Sequence, residues 1–156
     1  MKVDLLLADS GEVDPNGKLH ALGIGWTSTV SPTPPMVVIL ILQIMPTETD
    51  ILGHPLTINV SIRTQDGEQF LAPGPDGGSH PIQIQGDAMI NPSAELQAGL
   101  PISTSLVLPI GPGIPLLERR LYSWDVAITA KGDDRALASD SSVFYVSRLV
   151  QPIQQP

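Results

Sequence analysis

Three histidines are the first residues to test for chemistry: His20, His54 and His80. None sits in a His-x-His pair or an HExxH pattern, so a metal site would require distant residues to converge. Isolated packing or solvent histidines are the simpler reading. Asp9-Ser10-Gly11-Glu12-Val13-Asp14 places several oxygen ligands in one loop, as calcium sites do, but without the twelve-residue EF-hand spacing. Pro75-Asp76-Gly77-Gly78 and Gly132-Asp133-Asp134 are similar, and turns use Asp for backbone hydrogen bonds in any case. No Gly-x-Ser-x-Gly supports a serine nucleophile. Gly23-Ile24-Gly25 lacks the third glycine of a dinucleotide loop and lies within a strand pattern, where glycines mark a bulge or the close approach of another backbone. Two carboxylates could converge for glycoside chemistry. Sugar clefts want aromatic platforms, however, and Trp26 and Trp124 both fall at core-facing positions. The expectation is no catalytic residue, no metal and no cofactor.

Composition narrows the partners. Eight Lys and Arg stand against 16 Asp and Glu, a formal net charge of −8. That opposes nucleic-acid binding, which needs a basic face, and docking on anionic membranes. No cysteine is present, which removes disulfides, thiolate metal sites and cysteine nucleophiles. Charged residues make up only 15% of the chain. The Leu5–Ala8 stretch is too short for a signal peptide, and Met36–Met45 is half the length of a membrane-spanning helix. The chain therefore reads as cytoplasmic, or as part of a virion.

The elements that would position any site are strands. Leu56, Ile58, Val60 and Ile62 alternate with polar residues; Ile102, Thr104, Leu106 and Leu108 form one face of a second segment; and Tyr122, Trp124, Val126, Ile128 and Ala130 alternate with Ser123, Asp125, Ala127 and Thr129. Such alternation marks half-buried antiparallel strands. On this reading Trp124, Val126 and Ile128 are buried, Tyr122 is at the edge, and Ser123, Asp125 and Thr129 face away. Val3–Ala8, Lys18–Val30, Pro35–Met45, Gln69–Leu71, Pro81–Gln85 and Ser142–Arg148 are further candidates. Sixteen Pro and 14 Gly leave little room for helix: one or two turns at Asn91–Gly99 and one at Thr47–Gly53. Ala72–Ser79 reads as neither helix nor ladder, and Pro109–Pro115 as an extended arm. The fold class is all-β, an antiparallel β-sandwich of about eight or nine strands. One domain covers residues 1–150, with an extended or flexible tail at 151–156.

One strand breaks the alternation. Met36, Val38, Leu40, Leu42 and Ile44 form one face; Val37, Ile39, Ile41 and Gln43 lie on the other. A sandwich buries only one face of a strand, so the second needs its own cover. An arm of the same chain, for instance Pro109–Leu117, or a second subunit could supply it. Val37, Ile39, Ile41 and Gln43 are therefore the interface candidates.

Val3–Asp9 with Gly17–Trp26, and Leu121–Val126 with Val143–Val146 beyond a Gly-Asp turn, resemble a family of small β-sandwich proteins of actinobacteria and their phages. The resemblance implies the fold and no catalytic residue. The resulting expectation is a structural protein that forms homo-oligomers or joins a larger assembly, such as a phage capsid decoration or tail component. The alternative is a binding module whose loops hold a small ligand or carbohydrate.

Overall fold

The computed structural model describes residues 1–91 and 99–148. The expected helical turns at 91–99 fall mostly outside the described residues, and the 151–156 tail wholly so. Among the described residues twelve strands form: β1 (Lys2–Ala8), β2 (Ser10–Val13), β3 (Leu19–Leu22), β4 (Ser28–Thr29), β5 (Met36–Ile44), β6 (Pro55–Thr64), β7 (Leu71–Pro73), β8 (Ser79–Pro81), β9 (Gln83–Met89), β10 (Ile102–Ile110), β11 (Leu121–Ala130) and β12 (Ala136–Val146). A single 3₁₀ turn at Thr49–Ile51 is the helical structure among the described residues. A three-stranded sheet, in the order β1-β5-β10, packs on a five-stranded sheet, in the order β4-β12-β11-β6-β9. All pairings are antiparallel except the two-residue β4–β12 ladder. The molecule is an antiparallel β-sandwich with two added hairpins, β2–β3 and β7–β8.

The core follows the period-two pattern. Leu5, Leu7, Val38, Leu40 and Leu42 meet Leu56, Val60, Ile62, Trp124, Val126 and Ile128 between the sheets. Tyr122 departs from expectation, being buried rather than at the edge. Its hydroxyl accepts the Leu117 N–H at 3.0 Å, and its ring lies edge-on to Phe70 and stacks with Phe144. A phenol can be buried at a strand start when its one polar atom has such a partner.

Four expectations are corrected by long-range packing. Lys18–Val30 is not one strand: Gly23 and Gly25, both at positive φ, break it into β3 and β4. Between them the chain folds back along β1, where the Gly25 N–H donates to the Leu7 carbonyl. The acidic Ser10–Val13 segment is strand, not loop. Ala72–Ser79 contributes to a ladder, since β7 and β8 pair around its turn. The Pro109–Leu117 arm does not cover the outer face of β5; Ile114 and Leu116 turn into the main core instead, held by Gly113 and Ile114 bonds to Thr33.

Candidate functional site

The outer face of the three-stranded sheet is built from rows across β1, β5 and β10. The register aligns Ala8–Val37–Pro109, Leu6–Ile39–Val107, Asp4–Ile41–Ser105 and Lys2–Gln43–Ser103. The first two rows are wholly apolar, and the β2–β3 hairpin lies on them. Leu19 and Ala21 pack there, and a second small core forms around Ala8, Val37 and Ile39. Gly11 lies so close that an added Cβ would touch Ile39 and Val37 at 3.4 and 3.5 Å. The last two rows carry Asp4, Ser105, Lys2, Gln43 and Ser103 around Ile41.

The cover required by the doubly apolar strand is therefore an arm of the same chain, supplied by Ser10–Leu22. Val37 and Ile39 are buried beneath it, whereas Ile41 and Gln43 are half-buried. Val37 and Ile39 present no surface to a partner in this structure. The four interface candidates thus divide between a closed half and a polar, open half.

The two sides of the sandwich are finished differently. Along the outer edge of β1, the Gly25 N–H reaches the Leu7 carbonyl, the Asp9 N–H reaches the Leu22 carbonyl, and the Asp140 carboxylate accepts the Leu5 N–H at 2.7 Å. Asp140 aligns with Val126 and so occupies a core-side position of β12; it points inward because a strand edge lies there. At the opposite side β9 and β10 are both terminal strands of their sheets. Among the described residues, no hydrogen bond from outside the sheet reaches β10.

Two grooves flank β10. The inner one, about 570 Å³, runs between the sheets and is lined by Leu42, Ala88, Met89, Ile90, Ile102 and Leu106 with several uncharged polar residues. The outer one, about 420 Å³, lies between β10 and the β2 strand, beside Val13, Val107 and Pro109. Leu106, Val107 and Leu108 are half-exposed in succession, so this stretch of β10 is apolar on both faces, while Ser103 and Ser105 make the start of its outer face polar. Continuous apolar runs belong to strands with neighbours on every side. Solitary edge strands are normally protected by charge, a central Pro, a bulge or shortness. β10 has nine residues, no charge and one Pro near its end. Its sequence signal was the run Leu106-Val107-Leu108, hidden inside an otherwise alternating strand.

The candidate ligand groups are spent on turns. The Asp14 carboxylate accepts the Asn16 and Lys18 N–H groups at 2.8 and 2.9 Å, with His20 at 3.5 Å. Those bonds, the Lys18 one foremost, hold the Asp14 carboxyl below its ordinary pKa. Asp76 is similarly lowered, chiefly by His80 and then by the Gly78 N–H, within the β7–β8 turn. Asp9 accepts the Trp26 indole N–H at 2.7 Å. His54 is exposed. Among the described residues no three His, Asp or Glu side chains gather as a metal site. Asp125, facing away from the core, pairs with Arg63 at 3.0 Å and accepts the Ser141 hydroxyl.

No family model matches the chain, and neither does any curated protein. Among the described residues no helix is long and apolar enough to cross a membrane.

Proposed function

We propose that this protein is a non-catalytic structural module that packs with copies of itself or into a larger protein assembly. The observation that carries the reading is the edge of β10, which takes no bond from outside its sheet among the described residues: nine residues without a charge, apolar on both faces over Leu106–Leu108, with a groove on each side. Exposed strands of this kind pair with other strands, because their free N–H and C=O groups form a ready template. The polar outer face of the five-stranded sheet, with its Arg63–Asp125–Ser141 and Lys131–Asp87–Thr57 contacts, fits a surface left in water. The net charge of −8 favours protein partners over nucleic acid or anionic lipid.

A phage capsid decoration or tail protein, in the cytoplasm or the virion, is the concrete form of this reading and rests on the sequence resemblance alone. The alternative, a binding module whose loops hold a small ligand or carbohydrate, has less to carry it on the carbohydrate side. Trp124 is in the core and Trp26 is tied to Asp9, which leaves Tyr145 as the one exposed side chain among Phe, Tyr and Trp. Sedimentation velocity over a wide concentration range tests the assembly reading. A species heavier than one chain is expected. A monomer at every concentration removes the reading.

A further inference from the structure

We infer that the partner of β10 is the β10 strand of a second copy of this chain, paired antiparallel about a two-fold axis. This inference rests on the assembly reading and assigns its interface. Three features of β10 point to a second copy. First, its free edge is self-complementary in kind: an antiparallel pair of identical strands matches each N–H with a C=O, and one dyad uses up both edges and closes the assembly. Second, β10 is uncharged along its length, so two copies of a chain carrying −8 can meet there without like charges opposed in the ladder. Third, the side-chain pattern suits the grooves. Leu106 and Leu108 stand on the inner face and Val107 on the outer, as the register with Leu40, Val38 and Ile39 requires. A docked copy would send its own Leu106 and Leu108 toward the inner apolar groove and its Val107 toward the shelf beside Val13.

The paired arrangement joins two three-stranded sheets into one of six strands. The β1 edges, already closed by Gly25 and Asp140, lie at its outer limits. Among the described residues, Glu12 is the one charged residue lining the two grooves, and it is exposed.

The test uses the full chain. Ser105 is half-exposed on the outer face, where a lysine can stand in water in the monomer but meets its counterpart near the dyad in the pair. Wild type is expected to sediment as a dimer, and Ser105→Lys as a monomer with unchanged circular dichroism and melting temperature. Ser139→Lys, on the exposed face of β12, is expected to leave the dimer intact. Amide exchange at Ser103–Leu108 in wild type is expected to slow as concentration rises. A dimer that survives Ser105→Lys, with β10 amides indifferent to concentration, overturns the edge assignment while the assembly reading stands. A wild-type monomer at every concentration overturns both. Should Ser105→Lys misfold, the concentration dependence of β10 exchange in wild type decides alone.

Discussion

Single residues carry the contrast between the closed and open halves of the outer face. Ile39 is fully buried beneath the hairpin, while Ile41, two residues on, is half-exposed in a row with Asp4 and Ser105. Burying Val37 and Ile39 stabilises by roughly 1.5–3 kcal/mol each, an upper figure because the unfolded chain already hides some surface. Ile39→Asp should therefore destabilise the monomer by about 3 kcal/mol or more, since an unpaired carboxylate would replace a core side chain. Ile41→Lys should change stability by less than about 1 kcal/mol. Chemical denaturation of the two variants checks the pair, and equal losses would contradict the row-by-row description. Asp140 is the second decisive residue. Replacing it with Ala strips the Leu5 N–H of its acceptor, and the expected cost is about 1–3 kcal/mol. Asp140→Asn keeps an acceptor oxygen and should recover much of that loss, as urea midpoints would reveal.

At the scale of the element, the β2–β3 hairpin matters most because it turns a strand that needs two covers into a satisfied one. Its turn is held by Asp14, whose carboxylate gathers the Asn16 and Lys18 N–H groups while its carbonyl accepts the Gly17 N–H. The carboxyl is held below its ordinary value of 3.8 in the folded state. The stabilisation is therefore complete above the unfolded pKa and is lost as pH falls through the depressed folded value. Acidification below about pH 4 should shift the Asn16 and Lys18 amide resonances and loosen the turn. Asp14→Asn should flatten that pH dependence while keeping the turn, and Asp14→Ala should lose the turn at every pH. Amide resonances that stay fixed between neutral and acidic pH would contradict this account.

For the whole molecule, the two open sides of the sandwich are treated unequally. The β1 side is closed by a backbone return and a carboxylate. The β9–β10 side leaves two long terminal strands and an apolar groove between them. Two sheets with one sealed and one unsealed side form a body with a direction of growth. Pairing across β10 consumes that direction once, which predicts a discrete dimer rather than an open-ended series.

Local pattern alone was enough for the long alternating strands and their inward faces. Trp124, Val126 and Ile128, and Leu56, Val60 and Ile62, lie inward because alternation is a property of neighbours in the chain. The need for a second cover on β5 was equally plain from Val37, Ile39 and Ile41. What came only with tertiary structure was the identity of that cover and the state of each edge. β2 is polar at Ser10 and Glu12 and reads as a loop, yet a backbone that lies flat on Val37 and Ile39 needs Gly11 more than it needs apolar side chains. The first half of β12 escaped detection because Asp140 and Ser142 occupy inward positions, which makes sense only once the β1 edge is beside them. Tyr122 was misplaced for the same reason, its hydroxyl partner being supplied by the loop at Leu117. Side-chain periodicity reports which face of a strand leaves water; which backbone or carboxylate meets that face or edge depends on segments brought from elsewhere in the chain.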